Sequence, residues 1–318
     1  MTIAADAAQR FATDLAALGD FPGPLGIAVS GGADSMALLL LARTALGERI
    51  RAATVDHRLR PEAADEAAAV AVTCAQIGVA HDTLSVTWDA EPTSNVQARA
   101  RAARYGVLGE WAREQGLSAV LTAHHADDQA ETLLMRLARG SGVAGLAGAR
   151  GVARIGALTV LRPLLGWRRD ELRAIVDQEG IEPADDPSNR DPRFDRVRMR
   201  EMLSAATWAD PLRLAASASH LAAAEEALCF VTDQLAHERL SVTSDGYDID
   251  ASQLPRELQR RLLVRALSDA GERDLRGPEV ERLLDALLDG NTATLGSSRL
   301  SGGTPWRLRP CPPHREHC

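Results

Sequence analysis

The run Ser30-Gly31-Gly32-Ala33-Asp34-Ser35 puts two glycines, two hydroxyls and a carboxylate into six residues, between apolar runs at 26–29 and 36–41. It reads as a strand, a phosphate-gripping turn and a helix start. Glycines let the backbone approach an anion, and a helix N-terminus turns unpaired amides and the positive end of its dipole toward it. Asp34 would repel a bare phosphate but suits a phosphate-bound magnesium ion. The loop therefore predicts nucleotide plus metal. The plainer reading is a tight turn with Asp34 and Ser35 as caps. A Walker A loop is excluded for want of a lysine, and the spacing is not Gly-x-Gly-x-x-Gly.

A second cluster runs from His124 through His125, Asp127 and Asp128 to Glu131 and Thr132. Asp128 and Glu131, three apart, share a helix face, where paired carboxylates can hold a metal, act as base or grip an ammonium group. Asp127 reads as a helix cap, and one of the two histidines as packing. On a third segment, Arg101 and Arg104 are three apart and could point together at a developing pyrophosphate. A fourth, from Asp186-Pro187-Ser188-Asn189 to Phe194-Asp195-Arg196-Val197-Arg198-Met199-Arg200, carries arginines for phosphates or an anionic intermediate, on an element able to close over a site. A solvated surface loop fits it equally well.

The elements that would position these groups alternate in type. Strands are expected at 25–29, 50–55, 80–86 and 119–122, with a later one near 158–161, and helices at 36–46, 61–77, 94–115 and 127–139. That pattern predicts an α/β fold: a parallel twisted sheet with helices on both faces, followed by a smaller, mainly helical domain. Ser30, the run Val55-Asp56-His57 and His124 all follow strand ends, where ligands collect in such sheets. Residues 183–200 read as a polar, Pro-rich loop. A long helix is expected at 212–238, a β-like stretch at 240–249, helices at 254–270 and 278–288, and β turns at 294–313. The predicted domains are 1–210 and 211–318, the second a smaller accessory one.

With 318 residues the chain can bury a full core. Its four cysteines are scattered without a Cys-x-x-Cys pair, which argues against a structural zinc, an iron–sulfur cluster or a disulfide framework. All 36 basic residues are arginine, so no lysyl Schiff base can form. A net charge of −8 means that any nucleic acid must be met by local patches, such as the arginines at 190–200 or Arg136, Arg139, Arg150 and Arg154. No apolar run approaches the roughly 20 residues of a membrane span, and no secretory signal is evident, so a cytoplasmic protein with no membrane partner is expected.

The motifs together resemble one branch of the PP-loop N-type ATP pyrophosphatases, the tRNA(Ile)-lysidine synthetases. The likeness rests on Ser30 to Ser35, Val55-Asp56-His57 with Arg58-Leu59-Arg60, Ala100-Arg101-Ala102-Ala103-Arg104-Tyr105 and His124 to Arg136. Arg139-Gly140-Ser141-Gly142, Gly145-Leu146-Ala147-Gly148, Arg162-Pro163-Leu164-Leu165, Asp186-Pro187-Ser188-Asn189, Thr294-Leu295-Gly296, Trp306 and Arg309-Pro310 extend it. It implies adenylation of C2 of the wobble cytidine in isoleucine tRNA with a CAU anticodon, using ATP and magnesium. Free lysine then displaces AMP through its ε-amine to give lysidine. Ser30, Gly31, Gly32, Ala33, Asp34 and Ser35 would hold ATP, with Asp34 on magnesium and Val55, Asp56 and His57 beside the adenosine. Asp128 and Glu131 would recognise lysine, and Arg104 and Arg196 would stabilise the nucleotide and adenylate charges. A homodimer stays open as a partner state. The family usually has Arg-Asn where this chain has Arg196-Val197, which weakens the transfer to that segment. The rivals are a PP-loop tRNA 2-thiolation enzyme, which needs paired cysteines, and a non-catalytic nucleotide-gated RNA-binding module, which leaves Asp128 and Glu131 unused.

Overall fold

The structure, a computed structural model, describes residues 3–58, 62–88, 94, 96–184, 191, 193 and 195–311. Leu59, Arg60, Pro61, Asn95, Arg190, Phe194 and the Asp186-Pro187-Ser188-Asn189 motif lie outside the described residues. The chain divides into two compact units, Met1–Ala222 and Ala223–Cys318.

The first unit opens with helix α1 (Ala5–Ala16) and continues through β1 (Leu25–Ala28), α2 (Ala33–Leu46), β2 (Ile50–Asp56), α3 (Glu62–Gln76), β3 (His81–Ser85), α4 (Val96–Glu114) and β4 (Ala119–Leu121). Then come α5 (Ala126–Ala138), the single turn α6 (Val143–Leu146), β5 (Val152–Ile155), β6 (Leu158–Leu161), α7 (Arg169–Gln178) and α8 (Asp195–Ala205). The strands form one sheet in the order β3-β2-β1-β4-β6-β5, parallel except where β5 pairs antiparallel with β6. β1 has β2 on one side and β4 on the other, so the connections leave it in opposite directions. A crevice opens at such a switch point, beyond the strands' carboxyl ends.

α2 is apolar on every side because it is buried on every side: Leu38, Leu39, Leu40 and Leu41 are all fully covered. The sheet lies on one flank and α1 and α7 on the other. At about 1.5–3 kcal/mol per buried leucine, this helix is held firmly enough to present a rigid N-terminus to the crevice. On the opposite face of the sheet, Tyr105, Leu108 and Trp111 of α4 pack on Ala53, Val120 and Val160. Gly26 makes that contact possible, since a Cβ there would lie 2.6 Å from the Trp111 ring. The Trp111 indole N–H donates to Asp82 at 2.8 Å, tying α4 to β3.

The expected strands and helices of the sheet are present, with ends shifted by a few residues. α2 starts three residues early, which puts Asp34 and Ser35 inside its first turn. Three features depart from expectation. α1 and α7 form where none was predicted, β5 adds an antiparallel edge, and residues 195–205, read as part of a loop, are helical. The arginine-rich run masked that helix: its only buried residue is Val197, so it shows no apolar stripe.

α9 (Pro211–Arg239) runs from the first unit into the second. It is long and apolar enough, by length and mean hydropathy, to cross a membrane, yet Glu225 on it is buried in a 2.6 Å ion pair with Arg261. The second unit adds β7 (Leu240–Thr243), β8 (Gly246–Ile249), α10 (Arg256–Asp269), α11 (Gly277–Leu288), β9 (Thr292–Leu295), β10 (Ser298–Ser301) and β11 (Trp306–Pro310). These strands pair antiparallel in the order β7-β8-β11-β10-β9, a fuller sheet than a mainly helical domain implies. Leu262, Leu263 and Leu267 of α10 and Leu283, Leu284 and Leu287 of α11 share its core with Ile249, Leu300, Trp306 and Leu308.

Candidate active site

A cleft of about 620 Å³ opens at the switch point, lined by the ends of β1, β2 and β4, the start of α2 and one face of α4. Ser30, Gly32, Asp34 and Ser35 line it. The first intrahelical bond of α2 is Met36 N–H to Gly32 O at 3.0 Å, which leaves the amides of Ala33, Asp34 and Ser35 free of helical acceptors. The Ser35 hydroxyl donates back to Gly32 O at 2.9 Å and accepts the Ser30 N–H at 3.1 Å, so the loop is braced from within. Gly31 adopts φ +86°, a left-handed conformation, and its carbonyl accepts the Ala184 N–H at 3.0 Å. A Cβ on Gly32 would meet nothing closer than 3.8 Å, so the space above it is open to a ligand.

Three carboxylates surround one buried imidazole. His125, 0% exposed, places Nε2 3.3 Å from Asp34 Oδ2 and 3.6 Å from Asp128 Oδ2, and Nδ1 3.5 Å from Asp127 Oδ2. Burial opposes its charge, but its contacts with Asp127 and Asp34 and the charges of Asp128 and Asp34 prevail and raise its pKa to about 9. It is a cation at neutral pH. Asp127 is held well below the usual carboxylate range, against the opposing cost of burial, by His125, the Arg169 amide and Arg168. The predicted helix-capping role belongs to the neighbouring residue instead: Asp128 accepts the His125 N–H at 3.2 Å, at the start of α5. Asp127 accepts the Arg169 N–H at 2.8 Å and caps α7.

Glu131 lies one turn deeper, 1% exposed, and does not line the cleft. Three guanidiniums reach it: Arg196 Nε at 2.8 Å, Arg200 Nε at 3.0 Å and Arg169 Nη2 at 3.2 Å. Arg196 also donates to Asp128 Oδ1 at 2.9 Å. The predicted acidic pair thus exists, but its members differ. Asp128 faces the cleft with one oxygen on Arg196 and the other near His125, whereas Glu131 anchors α8 and α7 to α5. Val197 is buried on α8.

At the opposite wall, Arg104 donates from Nε and Nη2 to His57 Nε2 at 3.4 and 3.3 Å, so His57 is a neutral acceptor there. Burial and the Arg104 charge lower its pKa. Val55 and His57 line the cleft, whereas Asp56 turns away to accept the Arg58 N–H at 2.8 Å, in a turn where Arg58 has φ +53°. His124 also lines the cleft and contacts the Thr122 hydroxyl at 3.0 Å, with burial pushing its pKa down to about 4. Arg101 and Arg104 do not act as a matched pair: Arg104 reaches His57, while Arg101 lies over the Tyr105 ring at 5.1 Å.

The sequence reading underrated His125 and missed Arg168 and Arg169. Only a charge run at a helix start could have pointed to those arginines. Asp34 suits a magnesium ion: Oδ1 is buried without a hydrogen-bond partner, and Asp128 faces the same ring nitrogen of His125. Among the described residues no cluster of three or more His, Cys, Asp or Glu is placed to hold a metal. Magnesium carried on phosphates needs only one or two carboxylates. Cys74, the sole cysteine of this unit, is buried and its pKa is pushed up to about 11.

Residues 6–207 match the model of the PP-loop domain family. The chain is 47% identical to a tRNA(Ile)-lysidine synthase of Novosphingobium aromaticivorans, over 97% of this chain and 95% of that one. It is 43% identical to a tRNA(Ile)-lysidine synthase of Zymomonas mobilis, over 92% and 90%. Among solved structures it resembles the U34-tRNA thiolase NcsA from Methanococcus maripaludis, with a TM-score of 0.57 and 15% identity over 68% of this chain and 78% of that one, a likeness of fold.

Proposed function

The chain belongs to the PP-loop family of tRNA(Ile)-lysidine synthases, and from that premise we propose how its cleft divides the labour of ligating lysine to C2 of the wobble cytidine in CAU-anticodon isoleucine tRNA. The observation that carries the reading is the meeting of a phosphate-type loop with two carboxylates, Asp34 and Asp128, that converge on the same nitrogen, Nε2, of one buried imidazolium. ATP lies with its phosphates over Gly32 and the free amides of α2, and its adenosine toward Val55 and His57. Asp34 would hold the magnesium of MgATP, which would neutralise polyphosphate charge. The C2 oxygen of cytidine attacks the α-phosphorus, the α–β bridge breaks and pyrophosphate leaves. Arg104, fixed on His57, stabilises the charge that develops.

In the second step the lysine ε-ammonium gives up one proton to water, the freed amine attacks C2, and AMP departs with the electron pair of the C2–O bond. Asp128 meets the amine. The charges of His125 and Arg196 hold its carboxyl below the usual range despite burial, which favours gripping an ammonium over storing its proton. Glu131 acts from behind, by fixing Arg196 beside Asp128 and the adenylate. A cytoplasmic enzyme with a catalytic part at 1–210 and a tRNA-binding part at 211–318 accords with this substrate, and a homodimer remains a proposal for a sizing experiment.

Labelled lysine, ATP, magnesium and a CAU-anticodon isoleucine tRNA transcript test the reading. Label should enter the RNA with one pyrophosphate and one AMP released per lysine. Pyrophosphate formation without label in the RNA would refute the second step. The thiolation rival is less supported: the unit that holds the cleft has one cysteine, Cys74, and it is buried.

A further inference from the structure

α4 carries a positive charge that the two-step reaction leaves unused. Gln97, Arg101 and Arg104 stand at i, i+4 and i+7, so they share one stripe of the helix. Gln97 and Arg104 line the cleft, and Arg101 lies between them in sequence, exposed to solvent. Arg101 has no carboxylate partner among the described residues; its one recorded contact is the Tyr105 ring, 5.1 Å away. No acidic residue occurs on α4 before Glu110. Its charge is felt in the cleft: after burial, the main cause, it helps lower the pKa of Arg104 and of His124, against opposing contributions from Tyr105 and Asp128 respectively.

We propose that Arg101 grips the RNA backbone, binding the phosphodiester next to the nucleotide whose base enters the cleft, while Arg104 serves the triphosphate. The inference rests on the tRNA reading above and names a contact for that substrate. A cleft of about 620 Å³ falls in the range of small-molecule sites, about 300–1,000 Å³, so it admits a nucleotide but not the polymer. A base that enters must leave its flanking phosphates outside, and Arg101, exposed on the stripe of α4 between two cleft-lining residues, is placed to meet one of them. Tyr105 holds it there: its ring is buried and Arg101 lies across it, a cation–π contact that limits the arginine's freedom without neutralising its charge. A net charge of −8 makes such a local, unpaired cation the kind of group on which RNA affinity depends.

The test compares Arg101→Ala and Arg101→Glu with Arg99→Ala in steady-state assays on the CAU-anticodon transcript, at several salt concentrations. Arg99 is an exposed arginine on the same helix, turned about 160° from Arg101 at 100° per residue. Arg101→Ala should raise the KM for RNA by about tenfold and lower the slope of log affinity against log salt by about one phosphate contact. Arg101→Glu should raise it further, and both should keep the KM for ATP within about twofold. Arg99→Ala should change the RNA KM by less than about twofold. An unchanged RNA KM and salt slope in Arg101→Ala, with wild type active, overturns the contact and leaves the parent reading intact. A raised KM for ATP with an unchanged KM for RNA also overturns it, by assigning Arg101 to the polyphosphate. Failure of the wild-type protein to transfer lysine overturns both.

Discussion

Replacing Glu131 with glutamine keeps the shape of the side chain and one acceptor oxygen while removing the charge that three arginines share. The carboxylate is 1% exposed and accepts from Arg196, Arg200 and Arg169 at 2.8, 3.0 and 3.2 Å. Removing one partner of a buried ion pair typically costs about 3–5 kcal/mol, because the opposite charge stays behind uncompensated. Here the stranded charges can turn to water: the three side chains are 46%, 36% and 27% exposed. The cost should therefore fall near about 3 kcal/mol, roughly a hundredfold in an opening equilibrium. It should fall locally, since two of the arginines belong to α8 and the hydrophobic core at α2 is untouched. Amide hydrogen exchange should show faster opening at 195–205, with Leu38 to Leu41 protected as before. ATP-dependent pyrophosphate release should persist while the lysine requirement rises. Unchanged exchange across α8, or equal loss of both chemical steps, would refute this account of Glu131.

Asp34→Asn should reduce pyrophosphate release by at least about a hundredfold without unfolding the protein, as calorimetry can check; a variant with near-normal release would remove Asp34 from the nucleotide site. His125 has a folded pKa of about 9 against an ordinary 6.5, so the stability it contributes is fully present below pH 6.5 and is lost as pH rises through 9. At 1.36 kcal/mol per pKa unit this is about 3 kcal/mol, and urea unfolding of wild type against His125→Asn in metal-free buffer should give a gap that narrows over that window; a gap constant with pH would contradict it. Gly26→Ala should destabilise the first unit by about 2 kcal/mol, because the new Cβ meets the Trp111 ring at 2.6 Å; an unchanged melting temperature would show that the ring moves freely.

Much of the site could be read from residues whose types and spacing report local chemistry. The Ser30 to Ser35 run needs only a strand before it and a helix after it, and both are local properties. Asp128 and Glu131 were visible as neighbours on a helix face, but their different fates were not. Glu131 is buried because α8 and α7, more than thirty residues away in sequence, bring Arg196, Arg200 and Arg169 over it. His125 illustrates the same limit. Nothing in a His-His pair says that three carboxylates will converge on one ring and keep it charged. α7 carries its own apolar stripe, Leu172, Ile175 and Val176, which the strand-end motifs upstream overshadowed. α8 has no stripe to read, since its stability comes from ion pairs with α5.

The claim that the nucleotide loop activates the RNA itself is tested most directly by a chase. Enzyme, ATP labelled in the α-phosphate, magnesium and the CAU-anticodon transcript are mixed without lysine, and the RNA is isolated. The account predicts AMP attached to the wobble cytidine, released on adding lysine as lysidine appears at the same nucleotide. Adenylated lysine with unlabelled RNA, or label on any other nucleotide, would contradict it.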